Sequence, residues 1–273
     1  MIKLGSHVSF KAPDYLVGAN NDSISYNSNA MMFYLGAPQN ARRVGVDKYK
    51  LKEYKELKNK IEIKNMVIHA PYIVNPASMD KYKFAIEFLI EEIKRMNYLG
   101  IKYLVLHPGA STKYGVEESI ERLVSSLKEI LKDTKDVHIL LETMAGKGTE
   151  LGANFKQMNE IITKVNDPRI GVCLDTCHVW EAGYDINNYE EFVKELKDNN
   201  LLDLIKVIHV NDSKNPLGAH KDRHENIDKG HIGIKALKRI VQSEEFKDSI
   251  KILETPWIDG VPPYKEEIEL LLK

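Results

Sequence analysis

Short, largely apolar runs recur along the chain, and each is followed at once by an acidic or imidazole side chain. The runs and the residues that end them are Met66 to Ile68 with His69, Tyr103 to Leu106 with His107, Ile139 to Leu141 with Glu142, Val172 to Leu174 with Asp175, Val207 and Ile208 with His209, and Ile250 to Leu253 with Glu254. Runs of this length, rich in β-branched residues, are typical of buried strands. Successive end residues lie 33 to 45 positions apart, which fits one strand, one crossover helix and two short loops.

Apolar residues at helical spacing separate these predicted strands. The predicted helices cover residues 47–60, 86–96 (ending at Gly100), 120–131, 154–165, 189–196, 234–241 and 263–272. Two further strands are predicted, one ending near His7 and one over residues 29–34, and residues 211–232 form a long polar loop. Alternating strands and helices over this length predict a single (β/α)8 TIM-barrel domain, residues 1–273. The strand-end residues would then meet on the carboxyl face, where the active sites of such barrels lie.

The composition argues against a membrane-spanning protein and against a general nucleic-acid-binding protein. With 43% hydrophobic and 29% charged residues, the chain is typical of a soluble globular protein. It contains no apolar run long enough to cross a membrane, and its net charge of −1 argues against indiscriminate nucleic-acid binding. The two cysteines, Cys173 and Cys177, lie too close in sequence to staple a fold. We therefore expect a cytoplasmic monomer in a reducing compartment.

The strand-end residues suit a metal site. Asp222 and His224 lie two positions apart in the long loop, and in an extended segment both point to the same side. With His178 they make a third cluster beside the strand-end residues. Imidazole and carboxylate ligands without thiolate suit zinc, manganese or iron. His138, His220 and His231 are better explained as ordinary core or loop residues, whereas His7 is left open.

Longer motifs carry a family resemblance that runs nearly end to end. They are Gly5-x-His7-x-Ser9, Gly36-Ala37-Pro38-Gln39-Asn40, Leu106-His107-Pro108-Gly109, Leu141-Glu142-Thr143-x-Ala145-Gly146, Cys173-x-Asp175-Thr176-Cys177-His178, Ala182-Gly183-Tyr184-Asp185, His209-x-Asn211-Asp212-Ser213-Lys214, Asp222-Arg223-His224 and Leu253-Glu254-Thr255-Pro256. The chain resembles the apurinic/apyrimidinic (AP) endonucleases of the endonuclease IV type. The resemblance implies a DNA repair enzyme that hydrolyses the phosphodiester 5′ to an abasic site in double-stranded DNA, leaving 3′-OH and 5′-deoxyribose phosphate ends.

The resemblance also implies three zinc ions per chain and a role for each ligand. His69 and His107 would hold one ion, with Glu142 bridging to the next as the catalytic residue. Asp175, His209 and Glu254 would complete the second site, and His178, Asp222 and His224 the third. Three divalent ions and four carboxylates leave roughly +2 of charge for a phosphodiester. The expected DNA contacts are Gln39, Asn40, Arg42, Tyr72, Ile73, Lys147, Lys214 and Arg223, with Tyr72 and Ile73 placed where the family inserts wedging residues; Arg43 is a further candidate.

One departure and two rival functions accompany this interpretation. After His224 the family usually has Gly-Glu-Gly, whereas this chain has Asp228-Lys229-Gly230, which bears on the turn and the charge beside the third ion. A sugar isomerase or epimerase would use a similar barrel and similar ligands, but one or two metals would suffice for it. A damage-binding protein without turnover would not need the complete ligand set.

Overall fold

Eight parallel strands close into a ring, as the alternating pattern predicts. The computed structural model describes residues 1–57, 63 and 65–273. The barrel strands are β1 (Lys3–His7), β2 (Ala30–Phe33), β3 (Asn65–His69), β4 (Tyr103–Leu106), β5 (His138–Glu142), β6 (Ile170–Asp175), β7 (Ile205–His209) and β10 (Ile250–Leu253). Their order around the ring is β1-β10-β7-β6-β5-β4-β3-β2. A two-residue antiparallel ribbon, β8 (Asp212–Ser213) with β9 (His224–Glu225), lies inside the loop between β7 and β10.

Helices surround the ring and cover its outer face. They are α1 (Tyr15–Ser25), α2 (Leu51–Leu57), α3 (Tyr82–Leu99), α4 (Val116–Asp133), α5 (Phe155–Val165), α6 (Thr176–Glu181), α7 (Tyr189–Asp198), α8 (Ile234–Gln242) and α9 (Tyr264–Leu272). Gly100 ends α3 in the left-handed conformation, with φ of +73°, as its position after the apolar stripe predicts. No helix among the described residues is both long enough and apolar enough to cross a bilayer.

The core has two layers that follow the alternation of side chains along each strand. Side chains that point inward fill the barrel: Ala30, Met32, Val67, Val105, Leu140, Cys173, Val207, Ile250 and Ile252. Their neighbours along the strands point outward and pack against the helices in a larger apolar layer. The interior of the barrel is therefore a packed apolar core.

Three local predictions need correction. Residues 47–60 do not form one helix, because Lys50 adopts a left-handed φ of +61° between a 3-10 turn, Val46–Tyr49, and α2. The end of that predicted helix, residues 58–60, lies outside the described residues. Helices α1 and α6 were not predicted. The buried face of α1 includes Asn20 and Ser23, so its apolar stripe is too weak to stand out in the sequence.

Candidate metal centre

Six strands each bring one acidic or imidazole side chain to the carboxyl rim of the barrel. His69, Glu142, Asp175 and His209 are the last residues of β3, β5, β6 and β7. His107 and Glu254 directly follow β4 and β10. Because all eight strands run in parallel around a closed ring, these residues converge on one face although they are far apart in sequence.

The first cluster joins two histidines to one oxygen of Glu142. Glu142 Oε2 lies 3.1 Å from His69 Nε2 and 3.2 Å from His107 Nε2. His69 Nδ1 lies 2.7 Å from the carbonyl oxygen of Ala70, which cannot donate, so Nδ1 carries the proton. The lone pair of Nε2 therefore faces Glu142, which is the orientation that a metal-ligating histidine adopts.

The second cluster surrounds His209 and uses the other oxygen of Glu142. His209 Nδ1 lies 3.1 Å from Glu142 Oε1, 3.0 Å from Glu254 Oε2 and 3.7 Å from Asp175 Oδ2. The two oxygens of Glu142 therefore face two different groups of ligands. This is the geometry that a carboxylate bridging two cations requires.

The third cluster combines α6 with the long loop. His178, in the first turn of α6, has Nε2 3.1 Å from Asp222 Oδ1, and its Nδ1 donates to the carbonyl of Thr143 at 2.9 Å. His224 Nε2 lies 3.7 Å from Asp175 Oδ2 and 3.8 Å from Asp222 Oδ1. His178, Asp222 and His224 could thus hold one ion, as could each of the first two clusters.

The separations between the candidate ligand atoms are also compatible with bound cations. In a tetrahedral zinc site with bonds of 2.0–2.1 Å, neighbouring ligand atoms lie about 3.3 Å apart. The separations above, 3.0 to 3.8 Å, bracket that value. Nε2 of His224 is buried without a hydrogen-bond partner in the structure, although buried polar atoms almost always have one. A cation shared with Asp175 and Asp222 would supply the missing partner.

The electrostatics of the rim also favour positive charge. Burial lowers the pKa of His178, but Asp175, Asp222 and Glu142 outweigh it and hold that pKa well above its ordinary value. Burial raises the pKa of Glu142, yet His209 and His107 pull it well below its usual range. Without a metal the carboxylates therefore favour protons on His107, His178 and His209. Cations and protons compete for the same atoms, so metal affinity rises with pH.

Burial divides the ligands into an inner and an outer group. Asp175 and His209 are fully buried and Glu142 is 1% exposed. The side chains of His107 and Asp222 are 29% and 33% exposed. The site therefore opens to solvent through the outer ligands, and a substrate can reach it from the carboxyl face.

The structure also bears on the histidines that were not predicted as ligands. His138 begins β5, at the opposite end of the barrel, and His220 Nδ1 lies 2.7 Å from the carbonyl oxygen of Ala145. His7 packs against the ring of Tyr34 and belongs to none of the ligand clusters among the described residues. Cys177 lies near Asp175 and His224, but burial raises the pKa of its thiol far above the usual range. A protonated thiol is a poor metal ligand.

Two supporting residues were missed by sequence reasoning. Asn211 donates to Asp175 Oδ2 at 2.8 Å and accepts from the backbone N–H of Glu254 at 3.0 Å, so it orients two ligands. Thr143 Oγ1 accepts from the backbone N–H of Asp175 at 3.0 Å. Both lie one or two positions after a ligand within the motifs, which was the available signal.

Most predicted DNA contacts lie exposed on carboxyl-end loops. Gln39, Arg42, Lys147, Lys214 and Arg223 are exposed, and Tyr72 is 57% exposed. Asn40 and Ile73 are half-buried: Asn40 Oδ1 accepts from the backbone N–H of Arg42 at 2.9 Å, and Ile73 packs against the apolar core.

Arg43, which the sequence suggested as a further DNA contact, is instead buried in an ion pair. Its side chain is 4% exposed and pairs with Glu92 on α3, with Nε 2.8 Å from Oε1 and Nη2 3.1 Å from Oε2. The guanidinium also lies 4.9 Å from the ring of Phe88. Arg43 therefore anchors its loop to α3 and does not face a substrate.

The sequence Asp228-Lys229-Gly230, which replaces the family's Gly-Glu-Gly, still forms the turn after His224. Asp228 adopts a left-handed φ of +67°, a conformation that glycine adopts freely and aspartate tolerates better than most residues. Gly230 remains where it is needed, because an added Cβ would lie 2.3 Å from the carbonyl oxygen of Ser213. Asp228 and Lys229 are exposed.

Comparison with known proteins places this chain in a family. A model of the xylose isomerase-like TIM barrel family matches residues 24–273. A probable endonuclease 4 from Mycoplasmopsis agalactiae is 57% identical over 274 residues, covering 100% of this chain and 99% of that protein. Another, from Mycoplasmopsis synoviae, is 55% identical over 273 residues, covering 100% of this chain and 99% of that protein. The chain belongs to the endonuclease IV family.

Solved structures agree with this assignment. Endonuclease IV from Thermus thermophilus superimposes with a TM-score of 0.86 at 27% identity, covering 99% of this chain and 98% of that one. A D-tagatose 3-epimerase-like protein superimposes with a TM-score of 0.75 at 26% identity, covering 99% and 97% of the two chains. The predicted TIM barrel and family resemblance are confirmed, and the chain is a nuclease.

Proposed function

We propose that this chain is a zinc-dependent DNA repair endonuclease. It would hydrolyse the phosphodiester 5′ to an abasic site in double-stranded DNA and leave 3′-OH and 5′-deoxyribose phosphate ends. We also infer that residues 1–273 form one domain, since eight of the described strands close into a single ring, and that the chain works as a monomer. The observation that carries the proposal is the third cluster of His178, Asp222 and His224, adjacent to two clusters that share Glu142.

The ligand chemistry supports three zinc-class ions. His69 and His107 would hold the first, Glu142 would bridge to a second held by Asp175, His209 and Glu254, and the third cluster would hold the last. The donors are imidazoles and carboxylates on rigid strand ends, with no ionised thiol among them. When bound, divalent ions in such a site lower the pKa of water and offset the charge of a phosphodiester in its transition state.

The side chains of the rim would orient the attacking water, border the substrate and position the ligands. Glu142 would orient the attacking water, since its two oxygens face separate ligand groups at the buried centre of the site. The outer ligands His107 and Asp222, which are partly exposed, would border the scissile phosphate. Asn211 would hold Asp175 in place by its amide.

The surrounding loops offer groups suited to a damaged duplex. Lys147, Lys214 and Arg223 are exposed on the carboxyl face and would contact the phosphate backbone, which positions a duplex without reading its sequence. Tyr72 projects from the loop after β3 with more than half its surface exposed. It would fill or stack in the gap at the lesion. An abasic nucleotide has no base pair to break, so extruding it costs less than extruding a normal one.

Two rival functions make different demands on this site. A sugar epimerase is favoured by the structural similarity to the epimerase-like protein, but its chemistry does not need the third cluster or an exposed Tyr72. A protein that only binds damage would need neither buried carboxylates nor a bridging ligand, which are costly to assemble without turnover.

The deciding experiment is cleavage of a duplex that carries one tetrahydrofuran abasic analogue. We expect a single cut on the 5′ side of the lesion, seen by sizing the labelled strand, and no cut in the matched intact duplex. Elemental analysis of the purified protein should find about three zinc-class ions per chain. Intact duplex cut equally well, or one tightly held ion, would contradict the proposal.

A further inference from the structure

The loop that carries Asp222 and His224 is docked on a single buried carboxylate, Glu181. This residue ends α6 and is fully buried. It is three positions after His178, so the two side chains lie on the same side of one short helix. The same helix thus carries one candidate ligand of the third cluster and the group that holds the loop bearing the other two.

Three consecutive backbone N–H groups of the loop point at Glu181. Lys221 and Asp222 donate to Oε2 at 2.6 and 2.7 Å, and Arg223 donates to Oε1 at 3.3 Å. His220 and Asp222 have left-handed φ values of +54° and +55°. Left-handed residues of this kind turn successive N–H groups toward one point and create a small anion-binding concavity. Here the bound anion is a side chain of the protein itself.

Side chains from the start of the same loop complete the contact. Ser213 Oγ donates to Glu181 Oε1 at 2.7 Å, and Asn215 Nδ2 donates to the same atom at 3.1 Å. The backbone N–H of His220 also donates to the Glu181 carbonyl at 3.1 Å. Both ends of the segment 213–223 are therefore tied to the end of α6.

The contact sets the position of the third cluster. Asp222 has a left-handed φ of +55° and places Oδ1 3.1 Å from His178 Nε2, and residues other than glycine adopt that conformation at a cost in free energy. Hydrogen bonds to a carboxylate are about twice as strong as neutral ones. The bonds from Lys221 and Asp222 to Glu181 hold the strained turn in place.

We propose that Glu181 is a positioning residue for the third metal site: it clamps the loop 213–224 so that Asp222 and His224 meet His178. The inference rests on the proposed function only in naming the ion as zinc. Glu181 belongs to none of the candidate ligand clusters among the described residues. Its loss should therefore weaken one ion selectively and leave the ions held by the strand-end ligands in place.

Glu181→Gln tests this clamp with little change of volume. The amide keeps one acceptor oxygen, but its NH2 group would face backbone donors and repel them. We expect the affinity for the most weakly held zinc ion to fall by about 10- to 100-fold, the usual effect of removing a group that supports metal ligands. Backbone amides 221–223 should exchange with solvent faster, and excess zinc should restore the turnover number on abasic duplex.

Controls separate the clamp from general destabilisation. Glu92→Gln removes an equally buried carboxylate, 1% exposed, that lies on α3 and pairs with Arg43, and it should leave zinc content unchanged. Ser213→Ala removes one of the hydrogen bonds to Glu181, together with the two that Ser213 Oγ makes with the backbone of Asn215. It should give a smaller effect in the same direction, which keeps the test usable if Glu181→Gln does not fold. Zinc affinity is measured on the full chain by titration against a competing chelator, and amide exchange by mass spectrometry.

The outcomes distinguish this inference from the proposed function. Three tightly held ions and unchanged exchange at 221–223 in Glu181→Gln would overturn the clamp. Loss of all three ions together would overturn it too, since that is a global effect. If the wild type itself fails to cut abasic duplex, the proposed function fails, while the amide exchange still reports on the clamp.

Discussion

Glu142→Gln is the sharpest test of the candidate active site. The side chain is 1% exposed, and its two oxygens lie 3.1–3.2 Å from His69 and His107 and 3.1 Å from His209. The substitution keeps the volume and one carbonyl oxygen but removes the negative charge and one acceptor. Two clusters therefore lose a shared ligand through one change.

The expected effect is on turnover. A positioned group that orients or activates water contributes about 10²- to 10⁴-fold to rate, which corresponds to roughly 3–5 kcal/mol of transition-state stabilisation. Binding of abasic duplex should change little, because the exposed loop residues such as Tyr72 and Lys214 are untouched. The free energy of unfolding of the zinc-loaded protein should also be largely preserved.

The assay is single-turnover cleavage of a duplex with one abasic analogue, in saturating zinc, with metal content measured on the same sample. Glu150→Gln is the matched control: it removes a carboxylate from the loop after β5 that bonds to the backbone N–H of Lys147 at 2.9 Å and belongs to no ligand cluster among the described residues. Near wild-type cleavage by Glu142→Gln with all ions retained would refute the bridging role.

Three further outcomes are expected. Tyr72→Ala should weaken binding to abasic duplex by roughly 5- to 150-fold at fixed salt, the equivalent of 1–3 kcal/mol of stacking, and equal losses on intact duplex would mean a general backbone contact. Glu92→Gln leaves the buried guanidinium of Arg43 without its carboxylate partner, so the free energy of unfolding, measured by urea titration, should fall by about 3 kcal/mol. Glu91→Gln is the control: it breaks an exposed ion pair and should change the free energy of unfolding by less than about 1 kcal/mol. Burial lowers the pKa of His7 from 6.5 to about 4, so the unfolded chain binds more protons at this site between these values, and His7 by itself should cost roughly 2 kcal/mol of stability between pH 7 and pH 5. His178 and His209, whose pKa values are raised, act with the opposite sign. The effect of His7 is therefore measured as the difference between metal-free wild type and His7→Gln in the pH dependence of urea unfolding, with the variant losing less stability toward pH 5.

The sequence by itself determined the fold of this protein and its set of candidate metal ligands. Strand ends at a regular spacing, each followed by an acid or a histidine, are sufficient because a closed parallel barrel brings all carboxyl ends to one rim. His69, His107, Glu142, Asp175, His209 and Glu254 were therefore predictable as neighbours without any coordinates. The long polar loop with Asp222 and His224 was predictable as functional by its length.

Other features depended on tertiary contacts. Asp175 caps α6 by accepting from the backbone N–H of His178 at 2.8 Å. An Asp at this position in the sequence permits such a cap but does not require it. The sequence predicts an exposed loop cation at Arg43, whereas in the structure Arg43 pairs with Glu92 on α3. The proposed clamp at Glu181 could not be predicted from the sequence because most of its partners are backbone N–H groups, which every residue except proline carries.

The physical reason is the range of the interactions. The periodic order of apolar and polar residues is a local property of the chain, so it predicts strands and helices without knowledge of what they pack against. Which oxygen of Glu142 faces which histidine, and whether Asp222 can adopt its left-handed turn, depend on segments that meet only after the ring has closed. Those choices were decided by the tertiary structure alone.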